Sequence, residues 1–329
     1  MLLYSVEIKI GRCPVEFKAL EHLSWDGKRY HNLNYHLKNK FGHKVFKIPL
    51  DAGFTCPNRD GTLAKGGCLF CSTSGSGDFA GDSQDSIREQ FAQVTDIMHR
   101  KWATGQYIAY FQAFSNTYAP VARLQTLYEE ALSQPGVVGL AIATRPDCID
   151  DGVVDLLGNL NQRTYLWVEL GLQTIHKKTA RQMNLQYDYD SFLGALEKLQ
   201  NEKIETCAHI ILGLPGETRE DMLETAQEVA RLPLQGLKIH LLHLMQDTPL
   251  ARIYQEKPFA FLRQDEYVNL VADILEIISP EMIIHRLTGD SPRQLLIGPH
   301  WSLNKWEVLN NIDKCLVERD TWQGKLYKA

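Results

Sequence analysis

From residue 43 onward the chain alternates between two hydrophobic periods. Short apolar runs of strand type occupy 45–51, 107–113, 137–144, 165–170, 205–214 and 237–244. Between them, apolar residues recur every three or four positions. In 83–102, Ile87, Phe91, Val94 and Met98 share one face, which predicts an amphipathic helix. Pro120 opens a second helix that runs to 133, and 151–160, 189–201 and 217–231 follow the same pattern. Strands alternating with helices predict parallel βαβ units with right-handed crossovers. A closed eight-stranded barrel, a doubly wound sheet and an open six-unit partial barrel all satisfy that pattern, and periodicity does not choose among them. Helical spacing at 261–278 and 305–319, with a strand at 282–287 between, predicts a C-terminal addition over 246–329. Residues 1–24 have weak periodicity and read as a loosely attached extension.

Length and composition narrow the class. At 329 residues and 44% apolar, the chain buries a sizeable core. No apolar run approaches a membrane span, and charge interrupts the first residues too early for a signal peptide. Seven cysteines, an odd count, argue against a disulfide framework. These features predict a cytoplasmic protein with no membrane partner. A net charge of −5 does not advertise a nucleic-acid partner, yet the charge is unevenly spread. From Lys28 to Lys47, the cations Lys28, Arg29, Lys38, Lys40, Lys44 and Lys47 meet no acid, with Tyr30, Tyr35, His31, His36 and His43 among them. Residues 1–42 thus form an extension with a basic arm, able either to hold a phosphate backbone and stack a base or simply to face solvent.

The densest chemistry lies in 53–72, Gly-Phe-Thr-Cys-Pro-Asn-Arg-Asp-Gly-Thr-Leu-Ala-Lys-Gly-Gly-Cys-Leu-Phe-Cys-Ser. This glycine-rich loop follows the first strand and carries Cys56, Cys68 and Cys71. A structural zinc wants four protein ligands, and no second Cys-x-x-Cys pair is present. Three thiolates with an open fourth position suit an iron–sulfur cubane. Zinc and unligated cysteines remain as alternatives. Cys13, Cys148, Cys207 and Cys315 lie in segments that ask for no chemistry.

The cysteine spacing, with Phe70 just before Cys71, resembles the cluster loop of the radical S-adenosylmethionine (radical SAM) superfamily. The segments Phe-Lys-Ile-Pro-Leu-Asp, Cys-Pro-Asn-Arg-Asp-Gly-Thr and Gly-Gly-Cys-Leu-Phe-Cys are similar to a bacterial branch related to the elongator catalytic subunit and oxygen-independent coproporphyrinogen oxidase. The likeness runs from about Trp25 onward. It implies an α/β fold: a partial (β/α)6 TIM-like barrel of parallel strands over 43–245, with a C-terminal α/β addition. It also implies a [4Fe–4S] cluster on Cys56, Cys68 and Cys71, S-adenosylmethionine on the open iron, and an external one-electron donor of flavodoxin or ferredoxin type. Reductive cleavage would leave a 5′-deoxyadenosyl radical that takes a hydrogen atom from the substrate.

Ligands in parallel α/β folds collect at the C-terminal ends of strands, so each end supplies candidates. Gln112 and Asn116 follow the second strand, where the superfamily usually has a Gly-Gly-Glu-Pro-like edge, and Arg145 follows the third. Arg145 reads either as a cofactor contact or as a cap on its own turn. Glu169-Leu-Gly-Leu-Gln173 resembles a Glu-x-Gly-x-Gln signature whose glutamine reaches the cofactor ribose. Relatives then carry an arginine where this chain has Leu185, and Arg181 is the nearest substitute. His209 stands where a relative has a ribose-binding acid, ahead of a Gly-Leu-Pro-Gly-Glu turn. On the sixth strand, Lys238 and His240 share a face and are candidates for proton transfer or substrate binding. Trp301, Lys305 and Trp306 read either as a base-stacking surface or as a fastening for the C-terminal addition.

The resemblance implies tRNA as the substrate partner, with a wobble-uridine C5 side chain remodelled from carboxymethylaminomethyl toward aminomethyl. Two other readings fit the residues: a radical SAM oxidase or decarboxylase of a small metabolite, and a non-catalytic, zinc-stabilised RNA-binding module.

Overall fold

A computed structural model describes residues 25–75, 77–99 and 105–328; the extension expected at 1–24 lies outside them, as do the last residues of the helix expected at 83–102. The helices are α1 (Leu33–Phe41), α2 (Ile87–His99), α3 (Val121–Leu132), α4 (Asp151–Asn161), α5 (Lys177–Gln182), α6 (Tyr189–Asn201), α7 (Arg219–Arg231), α8 (Pro249–Glu256), α9 (Gln264–Ile277) and α10 (Lys305–Glu318). The strands are β1 (Val45–Leu50), β2 (Gln106–Phe111), β3 (Val137–Thr144), β4 (Tyr165–Gln173), β5 (Glu205–Leu212), β6 (Gly236–Leu241), β7 (Leu244–Met245), β8 (Ile283–Arg286) and β9 (Leu296–Gly298).

Seven strands form one parallel sheet in the order β1-β2-β3-β4-β5-β6-β8. The strand expected at 282–287 is β8; it belongs in sequence to the C-terminal addition and extends the sheet past β6. The sheet curls. Lys47 of β1 lies 3.7 Å from Glu169 of β4, and Lys238 of β6 donates to the Tyr110 hydroxyl of β2 at 2.9 Å. Strands so far apart in the order touch only if one face is concave. The fold is thus the partial TIM-like barrel that the resemblance implied.

Alternation along the strands sorts the core. Ile48, Leu50, Ala109, Phe111, Leu140, Ile142, Val168, Leu170, Ala208, Ile210, Leu237 and Ile239 face the helices, where Phe91, Leu124, Tyr128, Leu157, Phe192 and Val229 cover them. Their neighbours Val45, Ile108, Tyr110, Ala141, Trp167, Cys207 and Ile283 face inward. Leu33 and Leu37 of α1 pack on that concave face, closing the barrel interior near the strand starts. α1 is a helix that the charge pattern of the arm conceals. Asn32 caps it, accepting from the Tyr35 amide at 2.9 Å, and Gly42 ends it at φ 79°, in the left-handed region that glycine adopts without strain.

The arm before α1 is drawn against the C-terminal addition. Lys28 pairs with Asp313, and Arg29 with Asp320 at 3.2 Å. The Gln323 side chain accepts from the His31 amide at 2.8 Å and donates to Ser279 and Met282 carbonyls at 2.6 and 2.7 Å. Tyr30 is 7% exposed and Lys47 points into the barrel, so these two leave the expected RNA-binding arm; burial and inward register are the reasons. The Trp301 indole donates to the Leu262 carbonyl at 2.9 Å beside Tyr267, so it fastens the addition, whereas Trp306 is 76% exposed.

Leu37→Ala removes most of a side chain from the apolar cluster under the barrel. We expect a loss of about 2–4 kcal/mol in urea unfolding monitored by tryptophan fluorescence; a change below about 0.5 kcal/mol, the scale of a surface substitution, would show that α1 does not close the interior.

Candidate active site

The cysteine loop leaves the C-terminal end of β1 and folds on itself. The Arg59 and Asp60 amides donate to the Cys56 carbonyl at 2.8 and 3.1 Å, and the Gly67 amide returns to the Asn58 carbonyl at 2.8 Å. The long spacing between Cys56 and Cys68 is thereby a compact excursion that brings its ends together. Gly67 is required there: its φ is +81°, and a Cβ would lie 2.8 Å from the Arg59 side chain. The Cys71 amide closes the last turn on the Cys68 carbonyl at 3.0 Å.

Polar side chains hold the loop in place. Asn58, fully buried, donates to Cys68 Sγ at 3.5 Å and to the Asn184 carbonyl at 2.6 Å, and Asn184 donates back to the Gly67 carbonyl at 2.8 Å. Arg59 donates to the carbonyls of Cys71 at 3.0 Å, Ser72 and Thr73 at 3.3 Å. Asp247 takes the Thr73 amide and hydroxyl at 2.7 and 2.8 Å.

The three cysteines are free thiols. Burial pushes Cys68 up to about 12, with Cys71 adding to the shift, and burial also raises Cys71, against the pull of Arg59. A metal must therefore displace protons to bind, which ties its affinity to pH. Among the described residues, the one group of three His, Cys, Asp or Glu side chains with ligand atoms all within 4.8 Å of one another is His176, Asp221 and Glu224. The cysteines form no such group, whereas one tetrahedral zinc would hold its sulfurs about 3.8 Å apart. The thiol spread fits a bound group larger than one ion.

The strand ends place the remaining candidates unequally. Phe70, Gln112, Gln173, His209 and His240 line one cleft of about 580 Å³ in the concave face. Gln173 holds a left-handed φ of 69° at the end of β4, a conformation uncommon outside glycine. Asn116 is buried behind this edge and donates to the Ala143 carbonyl at 2.7 Å. Arg145 lies near Cys68, over the Tyr187 ring at 4.8 Å, but its guanidinium is held bidentately by Asp147 at 2.9 and 2.7 Å. Arg181 is not brought to this cleft; it lines a separate surface pocket with Lys177, Tyr187 and Asp188. Leu185, where the resemblance implied an arginine, is buried in an apolar cluster with Met183, Leu214 and Leu250, an environment that would not accept an unpaired charge.

Glu169 and Lys238 lie beneath the cleft. Glu169 is 0% exposed and bonds Lys238, with His209 Nε2 at 3.1 Å, the Trp167 indole at 3.2 Å, Lys47 at 3.7 Å and His285 Nδ1 at 3.8 Å. Burial alone would raise the Glu169 carboxyl, but Lys238, Lys47 and the His209 hydrogen bond hold it well below the carboxylate range. Burial pulls Lys238 down, and Glu169 opposes that pull; we take the pair as ionised, because a carboxylate so densely donated to stays charged. Lys47, Tyr110, His243 and Arg286 also line the cleft, and sequence reasoning assigned none of them to it. The available signal was parity: Lys47 shares the inward register of Val45.

The histidines carry a pH signature. Burial lowers His209, His243 and His285 to about 4 and puts His240 well below its ordinary value. Unfolded histidines take a proton near pH 6.5. Between about pH 4 and 6.5 the unfolded chain therefore binds more protons, so stability falls as pH drops through that window. Urea midpoints at about pH 7, 6 and 5 should decline progressively; equal midpoints would contradict the buried, neutral rings.

The Radical SAM superfamily description matches residues 56–229, and the Radical SAM C-terminal domain matches residues 234–318. The uncharacterized protein YtqA of Bacillus subtilis is 57% identical over 301 residues, covering 92% of this chain and 94% of that one. Protein YhcC of Escherichia coli K12 is 35% identical over 285 residues, covering 86% and 90%. Among solved structures, Elp3 of the archaeon Methanocaldococcus infernus superposes with a TM-score of 0.62 at 14% identity, covering 85% of this chain and 64% of that one, a likeness of fold. The chain belongs to the radical SAM superfamily, whose enzymes use a [4Fe–4S] cluster and S-adenosylmethionine.

Proposed function

We propose that this radical SAM enzyme modifies tRNA, remodelling the C5 side chain of a wobble uridine from carboxymethylaminomethyl toward aminomethyl. The observation that carries the reading is a recessed cleft with an exposed aromatic ring, Phe79, on its lining. Phe79 is 54% exposed. Trp306, 76% exposed, follows Lys305, whose ammonium donates to Asp290 of the cleft wall at 2.5 Å. Unstacked bases bind such rings face to face, with cations alongside for the phosphates. The exposed cations Lys38, Lys40 and Lys44 lie with α1 at the strand starts, away from this cleft, and carry no part of the reading.

In this reading, Cys56, Cys68 and Cys71 would hold a [4Fe–4S] cluster, which would supply the one-electron chemistry for cleaving S-adenosylmethionine. Asn58 and Arg59 keep the loop in shape. Phe70, Gln112, Asn116, Arg145, Gln173 and His209 are the candidate contacts for S-adenosylmethionine. Arg181 leaves that set because it faces another pocket, and Glu169 because its oxygens are committed to donors inside the barrel. Of the two proton-transfer candidates, His240 borders the cleft, whereas Lys238 is 2% exposed and tied to Glu169 and Tyr110; its part is to position.

Anaerobically reconstituted protein, given S-adenosylmethionine, a strong reductant and tRNA carrying carboxymethylaminomethyluridine, should form 5′-deoxyadenosine together with aminomethyluridine in the tRNA. Cys71→Ala should fold, bind less iron and form neither product. Deoxyadenosine that is indifferent to tRNA, with unchanged nucleosides, would transfer the reading to a small-metabolite substrate.

A further inference from the structure

The wall of the cleft opposite the cysteine loop carries polar groups without partners. Arg286, at the end of β8, lines the cleft; among the described residues it makes no hydrogen bond, and its carboxylate neighbour, Asp290, is 3.8 Å away. His240 Nε2, His243 Nε2 and Ser291 Oγ are buried with no partner, and all three residues line the same cleft. The two imidazoles converge on the turn after β8: a Cβ on Gly289 would lie 3.2 Å from His243 Cε1 and 3.7 Å from His240 Nδ1. Lys47 lines the adjoining floor, 4.6 Å over the Tyr110 ring.

Charge in this corner is unbalanced. Burial keeps His240 and His243 neutral. Asp290 is already bonded by Lys305 at 2.5 Å, and Glu169 by Lys238. What remains is the guanidinium of Arg286 and the ammonium of Lys47, partly offset by these two acids and by Asp78 on the loop side of the cleft, above neutral rings able to donate one N–H each. A guanidinium with unused donors matches a planar carboxylate bidentately, and the small surplus of charge suits a monoanion better than a phosphate dianion.

We propose that this corner is an oxyanion subsite that holds a carboxylate of the substrate, with Arg286 as its anchor and His240 and His243 as neutral donors. The proposal rests on the cleft being the substrate site; the uridine side chain proposed above ends in such a group. Isothermal titration of the holoenzyme measures affinity for 5-carboxymethylaminomethyluridine and for N-methylglycine, each against its carboxamide, and for inorganic phosphate. Wild-type, Arg286→Gln and Arg286→Lys proteins are compared, with cluster absorbance as the check on folding. The carboxylates should bind roughly tenfold more tightly than their amides, a preference lost in Arg286→Gln and partly regained in Arg286→Lys. If N-methylglycine shows this Arg286-dependent preference and the nucleoside does not bind, the subsite stands and the uridine reading falls. A preference that survives Arg286→Gln, equal affinity for acid and amide including no binding by any probe, or tighter binding of phosphate than of either carboxylate overturns the subsite.

Discussion

A single buried carboxylate constrains this barrel more than any other group. Removing an ion from water costs several kcal/mol even after relaxation, and Glu169 is fully buried. The cost is offset by donors and cations from β1, β4, β5, β6 and β8: Lys47, Trp167, His209, Lys238 and His285. Groups on five separate strands converge on one carboxylate only if the sheet has one particular curvature. The cluster therefore works as a strut, setting the radius of the concave face and with it the width of the cleft above.

The interior is layered by chemistry. At the strand starts, Leu33 and Leu37 of α1 meet Val45, Ile108, Trp167 and Ile283 in an apolar floor. The Glu169 network forms the middle layer. At the strand ends the cleft opens, with the thiol loop on one side and Arg286, His240 and His243 on the other. Each layer supports the next: the apolar floor excludes water from the ion cluster, strengthening its Coulombic contacts, and the cluster in turn fixes Lys47 and His209, which reach into the cleft.

The sequence carried local information well. The strands of 137–144 and 205–214 and the helices of 189–201 and 217–231 were legible because a two-residue or a 3.6-residue period persists through each. The cysteine loop was legible because its three thiols lie within one short segment. Information that depends on which strands become neighbours was not. Lys47 looked like one more cation of a basic arm until register turned it inward. Helix α1 was hidden because charge dominates 33–41, and its apolar face is only Leu33, Leu37 and Phe41. Leu185 stands where the resemblance implied an arginine, for a reason visible only in three dimensions, since its side chain completes a cluster with Leu214 and Leu250. The polar corner of His240, His243 and Arg286 draws on strands joined through some forty residues of intervening chain, a convergence that no local pattern reports.

The most direct test of the account is a double-mutant cycle on Glu169 and Lys238, read by urea unfolding. Either Glu169→Gln or Lys238→Met alone leaves a buried ion without its partner, and each should cost about 3–5 kcal/mol. The double variant should cost well below the sum, with a coupling above about 2 kcal/mol, because the second change removes the charge that the first left stranded. Additive losses would mean that the pair is not coupled, and that something other than this ion cluster holds the barrel to its curvature.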